Sequence, residues 1–196
     1  MPYTYYAHGL TTVHHLFLDR LVEVLRESGA EVVPDDSAGW TLIQTAWMGE
    51  YGAIEVRRTG PDLQIVYMPE NPDEEMNTGP LVHHLTLALI DIDDELRAMT
   101  EGEEEGRLLE GTGMAGELRR HLQDTGSEIL SVRDEVKQLK DRGEDVARPE
   151  RLLRRIEILC DEAALNLDAG QNPEALGKVR AVETLLEKVE AGLGEI

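Results

Sequence analysis

Every aromatic residue of this chain lies at or before Tyr67: Phe17, Trp40, Trp47, Tyr3, Tyr5, Tyr6, Tyr51 and Tyr67. From Met68 to Ile196 there is none. Aromatic rings carry large buried areas, so a core built without them rests on narrow aliphatic stripes. The chain therefore divides into two kinds of structure, and 196 residues suffice for one sizeable domain or two small ones.

The aromatic-bearing part reads as helix, three strands, helix. Thr11 or Thr12 can cap a helix in which Phe17, Leu18, Leu21, Val24 and Leu25 recur at helical spacing, and Gly29 ends the run. A short extended piece, "AEVV", precedes the turn-rich "PDDSAG". "WTLIQTAWM" is β-branched and aromatic enough for a strand, "AIEVRR" alternates apolar with polar, and "LQIVYM" supplies a third strand. The short turns "GEYG" and "TGPD" favour an antiparallel meander. After the solvated loop "PENPDEEMNTG", Pro80 opens a helix whose stripe is Val82, Leu85, Leu89, Ile92 and Leu96. The expectation for residues 1–98 is a two-layer α+β domain with a three-stranded antiparallel meander.

Residues 99–114, containing "EGEEEG", read as an acidic, glycine-rich linker. Residues 115–196 read as a helical bundle or coiled-coil arm of three helices. Their seams are Leu118, Leu122, Ile129, Val132, Val136 and Leu139; then Leu152, Ile156, Leu159 and Ala163; then Val179, Val182, Leu186, Val189 and Leu193. Pro149 opens the second, and Asn172 is the expected cap of the third. Such an arm either packs on the first domain or dimerises.

Charge excludes more than it identifies. The formal net charge of −21 repels phosphate backbones and anionic lipid, so direct nucleic-acid and membrane binding are set aside in favour of basic protein partners. The same acidity suits solubility or a salt-adapted source, as do 15 arginines against 4 lysines. No run approaches a membrane-spanning length, and "MPYTYYAHGL" lacks the basic-then-apolar pattern of a secretory leader. The single cysteine, Cys160, cannot form an internal disulfide, which fits a reducing cytoplasm.

Two histidine doublets, His14–His15 and His83–His84, each stand in Val-His-His-Leu-x-Leu. Adjacent residues diverge by about 100° on a helix, so the members of a doublet rarely meet one ion. His14 falls in the first apolar stripe, whereas His83 and His84 fall off the second, so the doublets sit in different phases relative to the core. A divalent transition-metal site would need His15 and Asp19, spaced i, i+4, to meet His83 or His84 across a helix pair. No His-Glu-x-x-His, phosphate-binding loop, dinucleotide fingerprint or Gly-x-Ser-x-Gly occurs, and Cys160 lies among apolar helical neighbours. No cofactor is implied outside that metal reading. The sheet offers a different surface: if helices cover one face, Ile43, Thr45, Trp47 and Val66 are candidates for partner binding on the other.

The element order begun by "FLDRLVEVLRESGAEVVPDDSAGWTLIQ" resembles the start of the type III secretion chaperone-like fold, including the YbjN-type bacterial proteins. The shared features are a leading amphipathic helix, a glycine after it, and a strand entered through an aromatic after an acidic turn. The likeness covers about residues 11–98; beyond them the family's later strands are replaced by the linker and arm. It implies a non-catalytic dimer that holds another polypeptide through exposed sheet and helix surfaces. The expected function is thus a cytoplasmic adaptor or chaperone-like protein-binding module acting as a homodimer. The alternatives are a histidine/aspartate metal-binding enzyme or regulator, and an acidic nucleic-acid mimic that occupies a basic protein.

Overall fold

The computed structural model describes residues 3–27, 29–35, 41–47, 50–69, 80–109 and 113–194. The side chains of 33–35, 41–47, 50, 51, 69, 80 and 81 lie outside that description. The chain divides into two compact units, Met1–Asp93 and Asp94–Ile196, and the fold is of the α+β class.

The first unit contains strands β1 (Tyr3–Ala7), β2 (Glu31–Asp35), β3 (Thr41–Trp47), β4 (Glu50–Thr59) and β5 (Asp62–Pro69). A single 3-10 turn, Thr11–Val13, leads into helix α1 (His14–Glu27), and helix α2 (Pro80–Leu108) begins in this unit. The expected meander is present as β3–β4–β5, but among the described residues the sheet has five strands in the order β1-β5-β4-β3-β2, every neighbouring pair antiparallel. β1 extends the sheet beside β5, and β2 extends it beside β3.

Local chemistry fixes the ends of these elements. After α1 the chain turns at Gly29, whose φ of +83° is left-handed backbone that glycine adopts without Cβ strain. Its N–H donates to the Arg26 carbonyl at 2.9 Å and that of Ala30 to the Leu25 carbonyl at 3.0 Å, the paired bonds of a Schellman stop. β4 and β5 are joined by Gly60-Pro61, with Gly60 at φ +66°, the Gly-X arrangement of a two-residue type II′ hairpin loop. Asp62 then holds β1 in place: its carboxylate accepts the Gly9 N–H at 3.0 Å and lies 3.0 Å from His8 Nδ1. The Gly9 bond foremost, then His8, keep this carboxyl below the ordinary aspartate value of 3.8.

Register sorts the sheet into two sets of rows. Ala7, Ile54, Val56, Leu63, Ile65 and Tyr67 are buried and occupy matching positions across β1, β5 and β4. The helices contribute Phe17, Leu21, Val24 and Leu25 from α1, and Leu85, Ala88, Leu89 and Ile92 from α2. Contacts show which face is covered: Arg58 approaches His14 Nδ1 of α1 at 3.2 Å, and the Tyr5 hydroxyl donates to Asp93 of α2 at 2.8 Å.

The second unit holds the rest of α2 with α3 (Met114–Asp141), α4 (Ala147–Asp168) and α5 (Asn172–Gly194). The three expected helices stand, with their apolar seams buried almost as read. Two expectations fail. Asn172 does not cap α5: the first-turn bond runs from the Ala175 N–H to the Gln171 carbonyl, and Asn172 Oδ1 is buried without a hydrogen-bond partner among the described residues. The linker expected over 99–114 is helix as far as Leu108, so the unit contains a fourth helical segment.

That fourth segment is held by glycines. A Cβ on Gly102 would stand 2.8 Å from Gly177 Cα of α5, one on Gly106 2.6 Å from Pro173 Cα, and one on Gly177 2.6 Å from the Met99 carbonyl oxygen. "EGEEEG" is therefore a pair of glycines one turn apart that lets two helix backbones touch, with glutamates on the other sides. Arg180 of α5 clasps the crossing by donating from Nε and Nη2 to the Glu105 carboxylate at 3.0–3.2 Å. Among the described residues no helix is long and apolar enough to cross a membrane.

Candidate functional site

The rows alternating with the buried ones form the other face of the sheet. Thr4 pairs with Val66 and Val66 with Glu55; Tyr6 pairs with Gln64 and Gln64 with Arg57; Met68 pairs with Ala53. Thr4 and Arg57 are exposed, Gln64, Val66, Met68 and Ala53 half-buried, and Tyr6 is 48% exposed. Tyr6 is held flat at the β1 edge: its hydroxyl accepts from Gln64 Nε2 at 3.0 Å, and its ring stacks on His8 with centroids 6.4 Å apart.

Glu55 sits within this face yet is buried. Residues i and i+2 of a strand share a face, and Arg57 folds back along β4 to pair with the Glu55 carboxylate. A buried carboxylate needs such a partner. The result is a surface with a phenol and two apolar side chains, Val66 and Met68, around one internally neutralised ion pair. It can bury area against another polypeptide and offer hydrogen bonds at its rim.

The candidates Ile43, Thr45, Trp47 and Val66 do not share one set of rows. Backbone register puts Ile43 in the row of Ile54 and Tyr67, Thr45 opposite Gly52 and Trp47 opposite Glu50, while Val66 stands in the alternate row with Thr4 and Glu55. The side chains of Ile43, Thr45 and Trp47 lie outside the described residues. Alternation along β3 separates its two faces but does not say which one continues into Val66; only cross-strand pairing does. Tyr6 escaped notice because its strand was not read, although "YTYYA" is short, tyrosine-rich and free of helix signals.

Of the metal candidates, His15 and Asp19 are exposed on α1, and His83 and His84 are exposed on α2. The rings of His83 and His84 are 6.1 Å apart at 60°, so they diverge as adjacent helical residues must. Among the described residues no three histidine, cysteine, aspartate or glutamate side chains gather where they could hold an ion.

Cys160 of α4 is half-buried, and burial, with Asp161 beside it, pushes its thiol up to about 11. At pH 8 only about one thiol in a thousand is then ionised. Titration with a chromogenic disulfide at pH 8 is expected to run about two orders of magnitude slower than free cysteine and to accelerate about tenfold per pH unit up to pH 10. Reaction at the rate of free cysteine would contradict this.

The carboxylates the sequence left undistinguished are sorted by the structure. In "DIDDE" of α2, Asp91, Asp93 and Glu95 are buried. Asp93 accepts the Tyr5 hydroxyl, and Glu95 is paired with Arg155 of α4. Each has the partner that a buried carboxylate needs. No protein-family model, no curated protein and no solved structure matches the chain.

Proposed function

We propose that the chain is a non-catalytic protein-binding module whose open sheet face, centred on Tyr6, Val66 and Met68, receives a partner polypeptide. The observation that carries this reading is an exposed aromatic beside two half-buried apolar residues in rows alternating with the buried core. Tyrosine is well suited to such a role because it joins contact area to a polar tip at small entropic cost. With a net charge of −21 the chain steers basic partners toward itself, and a cytoplasmic setting suits its lone thiol. The metal alternative would need His15, Asp19, His83 and His84 around one ion and finds no favouring geometry.

The test has two steps. A protein captured from native lysate is purified, and its affinity for the wild-type chain is compared by calorimetry with its affinity for Tyr6→Ala and Val66→Asp. Binding is expected to weaken at least about tenfold in each variant, with circular dichroism unchanged. Affinity indifferent to both substitutions would remove the sheet face from consideration.

A further inference from the structure

The direction in which each strand residue offers its backbone follows from the turns of the sheet. Thr59 and Asp62 close the two-residue hairpin between β4 and β5, so they bond to each other. Along an antiparallel strand the N–H and C=O of one residue point to one neighbour, and those of the next residue point to the other. Asp62, Gln64 and Val66 therefore bond to β4, and Leu63, Ile65 and Tyr67 bond to β1. Their partners are Ala7, Tyr5 and Tyr3, which leaves the N–H and C=O of Thr4 and Tyr6 pointing out from the edge. Trp47 and Glu50, paired with two residues between them, give β4 the same parity. Carried across β3, it makes Val32 and Pro34 the outward residues of β2. Pro34, with no N–H to give, belongs on that side.

The two edges, β1 and β2, are unlike. An open edge invites another strand, and proline or charge is what keeps one off. β2 carries Pro34 in its outward row and Glu31 and Asp35 at its ends. β1, Tyr-Thr-Tyr-Tyr-Ala, has neither proline nor charge. Among the described residues no group meets the outward N–H and C=O of Thr4 and Tyr6, and both residues are exposed.

The placing of those groups selects a second β1. Thr4 and Tyr6 flank Tyr5, so a copy turned about a two-fold axis at Tyr5 sets each Thr4 against the Tyr6 of the other copy and matches every outward donor to an acceptor. Tyr5 then meets Tyr5, and Tyr3 meets Ala7. No charge opposes a like charge, although each chain carries −21. On the open face each Tyr6 lies across from a Thr4, an aromatic against a β-branched residue, which is a favourable cross-strand pair. A basic segment would find no carboxylate on β1 to answer its charge.

We propose that β1 is a dimerisation strand: two copies join edge to edge, antiparallel through Thr4 and Tyr6, into one continuous sheet. Val66 and Met68 take no part, so the dimer does not rest on the sheet-face reading. Five residues span about 17 Å. A ladder that short gives a dissociation constant on the order of micromolar.

Sedimentation equilibrium of the full chain tests this. At about 0.1 mM the wild type and Val66→Asp are both expected to be mostly dimer. Thr4→Pro removes only an outward N–H, so it is expected to keep the circular dichroism of the wild type. Its dimer is expected to be at least about thirtyfold weaker, because the two-fold repeats the loss. Thr4→Val keeps the N–H and is expected to dimerise like the wild type. Register is read by oxidative cross-linking in a Cys160→Ser background. Thr4→Cys mixed with Tyr6→Cys is expected to link the two variants, since opposite residues stand about 5.5 Å apart. Thr4→Cys is expected to link poorly to itself, across on the order of 8 Å. A monomer at about 0.1 mM, loss of the dimer in Val66→Asp, a Thr4→Pro chain that dimerises like the wild type or fails to fold, or Thr4→Cys linked chiefly to itself would each overturn the proposal.

Discussion

Gly102→Ala and Gly177→Ala each lower the stability of the helical unit by about 2 kcal/mol, while Gly126→Ala raises it by up to about 1 kcal/mol. All three replace a helical glycine by the best helix former, which by propensity alone is worth about 1 kcal/mol in the favourable direction. At Gly126 nothing among the described residues lies within 4 Å of the added methyl, so propensity decides. At Gly102 the methyl would lie 2.8 Å from Gly177 Cα and 3.0 Å from the Leu176 carbonyl oxygen; at Gly177 it would lie 2.6 Å from the Met99 carbonyl oxygen. Those atoms are backbone and cannot rotate away, so the helices must part. Separation loosens the aliphatic contacts around the crossing, and overpacking of this kind costs about 1–3 kcal/mol, more than propensity returns. Thermal unfolding should show Tm about 10 °C lower for either crossing variant and slightly higher for Gly126→Ala. The double variant should cost less than the sum, because one displacement relieves both clashes. Shifts of the same sign at all three positions would mean that the helices do not touch at these glycines.

The same crossing shows where sequence reading stops. The three later helices were legible because each carries a sustained aliphatic stripe and a punctuating Gly or Pro, as at Pro149 and Gly170. The meander was legible because alternation and turn residues agree in "AIEVRRTGPDLQIVYM". "EGEEEG" carries no apolar residue, so periodicity is silent there, and composition alone suggests a linker. Its helical state is decided by contact with Pro173 and Gly177, some seventy residues away in sequence. β1 was missed for a related reason: Tyr3, Tyr5 and Tyr6 give no alternation of polarity, and only pairing with β5 assigns them to opposite faces. The candidate surface shared that weakness. Val66 could be proposed from its own strand, but its true neighbours, Thr4 and Glu55, are set by register. Buried carboxylates were invisible among 40 acidic residues, because Asp93 and Glu95 find partners, Tyr5 and Arg155, that lie far away in sequence.

Glu95 and Arg155 supply the second large effect. Arg155→Met is expected to destabilise the protein by about 3–5 kcal/mol, whereas Arg155→Met combined with Glu95→Leu is expected to fall within about 1 kcal/mol of wild type. The two side chains retain only 2% and 13% of their exposure, and Arg155 donates to Glu95 Oε1 from Nε at 2.8 Å and from Nη2 at 2.6 Å. Both charges have given up most of their hydration, and their attraction approximately offsets that loss. Removing the guanidinium alone leaves a desolvated carboxylate without the charge that offset most of its cost. Removing both replaces the pair by apolar side chains that the adjoining Leu96 and Ile156 can accept. Urea unfolding of the wild type, both single variants and the double variant closes the cycle and gives the coupling energy directly. The exposed pair Arg119–Asp168, with 55% and 75% exposure, is the control: Arg119→Met should cost under about 1 kcal/mol, and its effect should vanish in high salt. Additive costs at Glu95 and Arg155 would show instead that each is held by separate neighbours and that the pair is not what joins α2 to α4.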